Sequence, residues 1–206
     1  DAVENTSLVP WLTATALLHS FTLYKARGLY KRWALGLAAA TFWLTILATW
    51  TTRTGLISSV HAFGQNPVLV WILSTFLIVA AGVSIGLIVW RWRAFGSHDE
   101  MESLLSRNFL YYATNLLLTL FAAAVAFATV GVPLLMPDRA VGTGTYDAVA
   151  RPLGVAVLAL IAVCPLLAWR RTEGAQLRRT LVLPAVTTAL SVPLWLHLGF
   201  QSNIWG

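Results

Sequence analysis

The sequence predicts an all-α integral membrane protein, a bundle of about six transmembrane helices with both ends on the periplasmic side. Three observations predict it. The chain has 206 residues, 58% hydrophobic and 11% charged, where a soluble domain carries about 25% charged residues. Its apolar runs recur at roughly twenty residues, each long enough to cross a hydrocarbon layer about 30 Å thick. Its positive charges are also segregated. Lys25, Arg27, Lys31 and Arg32 fall in one short segment, Arg91, Arg93 and Arg107 in a second, and Arg170, Arg171, Arg178 and Arg179 in a third. The alternate segments hold only Arg53, Arg139 and Arg151. Over short loops this is a strong positive-inside bias. It accounts for the net charge of +6 better than a nucleic-acid surface does, and no nucleic-acid partner is expected.

Spans are expected near 6–24, 33–52, 67–90, 109–135, 152–169 and 180–198. The first follows Asp1-Ala-Val-Glu4-Asn5, whose acids suit a helix start, and stops at Lys25. The second lies between Arg32 and Arg53. The third opens at Pro67, where a missing N–H costs little, and closes at Trp90. The fourth begins past Arg107, carries Asn115 as an interhelical hydrogen-bonding group, and ends around Pro133 and Pro137. A glycine-rich outer loop is expected from Pro137 to Arg151, with the fifth span starting at Pro152 and ending near Pro165. The sixth has Pro184 near its start and Pro193 near its end. None of these runs alternates with period two, so a barrel is not indicated and a helix bundle remains. Trp11, Trp50, Trp195 and Trp205 fall at the outer boundary, and Trp33, Trp90, Trp92 and Trp169 at the inner one, as an interfacial belt requires. The single cysteine, Cys164, reads as a small core residue. There is no defensible internal repeat, and the lone Gly142-Thr-Gly144 is no phosphate site.

Chemistry rests on few residues. His19 lies inside an apolar run, and an ionisable group there is a functional hypothesis by default. It is either a neutral imidazole hydrogen-bonded to a neighbouring helix or an axial ligand to haem iron. His61, in Arg53-Thr-Gly-Leu-Ile-Ser-Ser-Val-His61-Ala-Phe63, sits in an outer loop, either solvated or ligating. The two differ in depth by about 20 Å at helical rise, so if both bind haem they bind different haems. Arg53 pairs either with a haem propionate or with lipid headgroups. His98, beside three acids, reads as a solvated loop residue, and His197 as an interfacial side chain. No CxxC, HExxH or outward Ser–His–acid set is present.

Two stretches resemble one family. Asp1-Ala-Val-Glu-Asn-Thr-Ser-Leu-Val-Pro-Trp-Leu-Thr-Ala-Thr-Ala-Leu-Leu-His-Ser20 is similar to the segment that closes the WWD motif of CcmF-type cytochrome c haem lyases. Arg53 through Phe63 is similar to the periplasmic loop that follows. Leu104 through Leu118 resembles the next span, and beyond about residue 130 the likeness is topological. The resemblance implies that His61 is an axial ligand of an outer, transient haem and that His19 is a ligand of a permanently bound inner haem b. It implies that Asp1, Glu4, Asn5 and Trp11 support the haem surface and that Arg53 contacts a propionate. It also implies a haem-lyase core that attaches haem to the CxxCH cysteines of apocytochrome c at the plasma (inner) membrane of a bacterium or archaeon. Haem-chaperone and other maturation partners, and quinol as reductant, come with it. No residue need act as a nucleophile, because the catalysis is orientation. Two departures stand out. The family's Asp-Pro is Asp1-Ala2 here, and its Ser-Arg-Glu is Ser106-Arg107-Asn108. The motif's tryptophans and the second ligand of each pair are expected outside residues 1–206, in a longer parent chain. Two other readings remain: a b-type electron-transfer subunit, and a haem-export or transporter component, for which the expected inverted repeats are missing.

Overall fold

A computed structural model describes residues 1–63, 65–96, 103–136, 139 and 141–197; His98 and Trp205 lie outside them. All regular structure among the described residues is helical. In chain order it comprises α1 (Ala2–Arg27), α2 (Lys31–Thr54), α3 (Pro67–Trp90), α4 (Arg107–Ala126), α5 (Val132–Leu135), α6 (Thr143–Val163) and α7 (Gly174–His197). A π-helical turn, Phe127–Gly131, joins α4 to α5, and 3-10 turns occupy Trp92–Phe95 and Cys164–Leu166. Among the described residues, four stretches are long and apolar enough to cross a membrane: Lys31–Thr54, Pro67–Trp90, Arg107–Leu135 and Thr143–Leu166. α1 and α7 are of similar length.

The centre of the molecule is formed by α1, α2 and α4, and the pattern on α1 explains why. Thr6, Val9, Thr13, Ala16, Ser20 and Leu23 are all at most 2% exposed, and their spacing alternates three and four residues, the seam of a packed helix pair. Four of the six carry a hydroxyl or only a methyl. The bulkier Trp11, Leu18 and Phe21 point outward, at 62%, 68% and 49% exposure. Burying small and polar groups while exposing large apolar ones is unfavourable in water. It suits lipid, where small residues let backbones approach and polar side chains bond between helices. The seam does both. Thr41 Oγ1 on α2 donates to Thr13 Oγ1 at 2.9 Å, and Asn115 Nδ2 on α4 donates to Ser20 Oγ at 2.8 Å. Val9, Leu12, Ala16, Leu37, Leu118, Ala122 and Val125 close the apolar remainder of this core.

α3 is tied to α2 by Trp50 Nε1, which donates to Ser74 Oγ at 2.8 Å. It starts under the cap of Asn66, whose Oδ1 accepts from Val68 N and Leu69 N, with Pro67 at the first helical position. The basic residues at the other end have structural partners: Arg32 donates to Trp92 O, and Lys31 to Ala94 O. Arg107 reaches from the start of α4 to the carbonyls of Leu167 and Pro165, while Arg107 N and Asn108 N donate to Ala168 O and Trp169 O. The backbone that breaks after α6 is thereby satisfied.

The glycine-rich outer loop expected up to Arg151 needs correction. From Thr143 onward it is the opening of α6, and Pro152 lies inside that helix. Gly142 supplies the extended backbone of the cap position, Asp147 and Arg151 pair one turn apart at 3.3 Å, and Tyr146 OH bonds Thr129 Oγ1 at 3.0 Å. These contacts offset the low helix propensity of Gly144. Pro184 and Pro193 likewise lie within α7 and Pro10 within α1. Every α7 residue whose burial is described is exposed except Leu177 and Thr180.

Candidate functional site

The candidate residues lie at two levels of the bundle. At the upper level, Asp1 is the N-cap of α1, its Oδ1 accepting from Val3 N at 2.8 Å. The same oxygen accepts from Ser59 Oγ at 2.6 Å, and Oδ2 accepts from Val60 N at 3.2 Å. His61 N in turn donates to Ser59 Oγ at 3.1 Å, and His61 Nδ1 stands 3.7 Å from Asp1 Oδ1. The Asp1 side chain is 17% exposed and that of His61 55%. One carboxylate, at the cap position of α1, therefore holds the tip of a loop that leaves α2.

The base of that loop is equally specified. Thr54 Oγ1 donates to Trp50 O at 2.7 Å, Gly55 ends α2 at φ +63°, and Phe63 N returns to Thr52 O at 2.9 Å. A Cβ on Gly55 would stand 2.6 Å from Phe63 O, so both conformation and space require glycine. Ile57, 4% exposed, packs with Trp50 and Val130 beneath. Arg53 lies over the Phe63 ring at 4.2 Å.

At the lower level, His19 meets Tyr111 of α4 edge to face, with ring centroids 5.4 Å apart. Tyr111 stacks on Trp169 at 6.1 Å, and the guanidiniums of Arg27 and Arg107 stand over the Trp169 ring at 5.2 and 5.3 Å. His19 Nδ1 is buried without a hydrogen-bond partner. Buried polar groups are normally paired, so the hydrogen bond to a neighbouring helix that would make His19 a purely structural imidazole is not formed at Nδ1. Ser20 next to it takes the Asn115 contact instead.

The distance between levels follows from α1 itself. From Asp1 to His19 the helix rises about 27 Å at 1.5 Å per residue. His61 is held at the Asp1 end, so the two imidazoles cannot meet one metal, which nitrogen ligands approach to about 2 Å. Among the described residues no group of three His, Cys, Asp or Glu side chains could hold a metal ion. A lone histidine can serve only a group that brings its own donor set, as a porphyrin does. The residues fit haem in this sense.

The other predicted residues divide. Asn5 shares with Asp1 a cavity of about 640 Å³, lined also by Ser58, Thr129, Arg139 and Tyr146. Glu4, Trp11 and Arg53 are exposed, and Trp11 and Arg53 are not among the residues that line it. Ser59 was readable only as an ordinary loop residue, because its partner lies 58 positions away. Thr129 and Tyr146 left no sequence signal; the π turn that presents Thr129 has no distinctive composition. His197, the last residue of α7, is exposed.

No family model matches the chain. The curated cytochrome c-type biogenesis protein CcmF of Escherichia coli (strain K12) is 32% identical over 99% of this chain and 32% of its own length. That of Pseudomonas aeruginosa is 36% identical over 84% of this chain and 27% of its own length. A solved structure titled Cytochrome c Heme Lyase CcmF superposes with a TM-score of 0.69, at 27% identity, over 99% of this chain and 29% of that one. The chain is a CcmF-type sequence. It spans about three tenths of the length of the relatives it matches, and its apolar helices are those of a membrane protein. The CcmF-type likeness runs past residue 130, where the sequence motifs end, so α6 and α7 belong to the same alignment as Asp1, His19 and His61.

Proposed function

We propose that this chain is the haem-lyase core of a cytochrome c maturation protein, holding haem at the periplasmic face for thioether attachment to apocytochrome c. The observation that supports the reading is that α1 separates two imidazoles by level: His61 is held by Asp1 at the start of the helix, and His19, with an orphaned buried nitrogen, lies about 27 Å of helical rise farther along it. The names of the relatives supply the reaction class.

In this reading His61 is an axial ligand of the outer haem, which is substrate, and His19 of a permanently bound inner haem b. The inner group supplies one-electron chemistry when bound. The chain's own residues bind, orient and exclude water. His61 fixes the height of the substrate, Asp1 fixes His61, Asn5 lines the neighbouring cavity, and Glu4, Trp11 and Arg53 offer outward contacts to the haem surface and its propionates. Each CxxCH thiol adds its S–H across a haem vinyl group, so the bond-forming step needs no nucleophile from the protein and no net electron. Orientation supplies the catalysis.

The charge bias puts both ends, the His61 loop and the cavity on the periplasmic side of a six-span arrangement in the inner membrane. Apocytochrome c, a haem chaperone and further maturation proteins dock from that side, and quinol supplies electrons to the inner haem. The test is spectroscopic, on the full-length parent protein. His19→Ala removes a low-spin b-type signal. His61→Ala keeps that signal and abolishes holocytochrome c formation. Wild-type haem content and activity in both variants would refute the assignment.

A further inference from the structure

We propose that Asp1 is a positioning residue for His61, setting the orientation and basicity of the outer imidazole through the carboxylate that caps α1. The inference rests on reading His61 as a haem ligand.

The geometry makes Asp1 a rigid anchor. Its Oδ1 is committed to Val3 N, so the carboxylate is fixed to the first turn of a helix whose seam is fully buried. From that anchor it takes Ser59 Oγ and Val60 N, and Ser59 Oγ passes the constraint to His61 N. The loop is then held at both ends, by α2 at Thr52 and Thr54 and by α1 at its tip. Nδ1 is the imidazole nitrogen on the Asp1 side, 3.7 Å from Oδ1, which leaves Nε2 as the nitrogen to meet iron. A carboxylate behind a ligating histidine fixes its tautomer and raises its basicity, and loss of such a partner costs about 10- to 100-fold in affinity or activity. An ordinary helix cap needs none of these loop contacts, and Asn caps a helix as well as Asp does. The charge therefore separates the two roles.

The experiment uses the full-length haem-loaded protein. Asp1→Ala lowers outer-haem affinity about 10- to 100-fold and leaves the inner b-type spectrum intact. Asp1→Asn keeps the cap and moves the outer-haem midpoint potential upward, because an imidazole without an anionic neighbour stabilises ferric iron less. Ser59→Ala gives a smaller loss in the same direction, and Asp1→Glu restores part of it. The inner b-type signal reports folding; if Asp1→Ala loses it, Asp1→Asn and Ser59→Ala decide. Wild-type affinity and potential in Asp1→Asn and Ser59→Ala, with outer haem still lost in His61→Ala, overturn the positioning role and leave the lyase reading standing. Retention of outer haem by His61→Ala overturns both.

Discussion

Gly28 and Gly55 end α1 and α2 with nearly the same backbone, at φ +70° and +63°, yet they face different surroundings. A Cβ on Gly28 meets nothing within 4 Å, whereas one on Gly55 stands 2.6 Å from the backbone oxygen of Phe63. Gly28→Ala is expected to cost about 1–2 kcal/mol, the left-handed backbone penalty alone. Gly55→Ala adds a backbone collision at the base of the His61 loop and is expected to cost more, with a weakened outer-haem signal. Thermal denaturation of the two purified variants in one detergent, alongside their haem spectra, checks the order. Equal losses would show that the loop yields freely. Only part of this was legible from residues. The Arg53–Phe63 motif marked the loop, and the role of Gly55 in it comes from the structure. The anchoring carboxylate was hidden, because Asp1 and Ser59 are distant in sequence and a helix cap alone explains Asp1.

At the scale of elements, polarity inside and bulk outside organise α1, α2 and α4. Asn115 was expected to bond across helices, and it does so with Ser20. In membranes such bonds average about 0.6 kcal/mol and reach about 1.7, so Asn115→Leu is expected to destabilise the bundle by less than about 2 kcal/mol, read as thermal loss of the inner-haem signal. Arg107 has a different task. It serves carbonyls where the chain breaks after α6, and Arg107→Leu strands acceptors that cost about 1–3 kcal/mol each when unsatisfied. Proteolysis between α6 and α7 should accelerate in that variant; unchanged cleavage argues against the clamp. The start of α6 shows why the sequence misled. Two glycines and a proline read locally as loop, while Tyr146–Thr129 and Asp147–Arg151 are contacts that local composition does not announce.

For the whole molecule, the all-helical class was legible from composition, because lipid leaves the backbone few alternatives. The core was less so. A seam of Thr, Ala and Ser looks like a polar face until lipid, rather than water, is taken as the surroundings. The charge bias makes a prediction at this scale. An alkaline phosphatase reporter inserted in segment 25–32 should be inactive and one in segment 55–65 active, since that enzyme matures only outside the cytoplasm. The reverse pattern would overturn the proposed orientation.

One helix, α1, ends in the carboxylate against the His61 loop and carries His19 farther along the same rod. The gap between the two proposed electron-carrying centres is thus ruled by a single piece of secondary structure, like marks on one stick. Adding one alanine between Leu12 and Leu17 would turn the lower mark by about 100° relative to the upper, and the pair would lose step without any change to either imidazole's own neighbours in sequence.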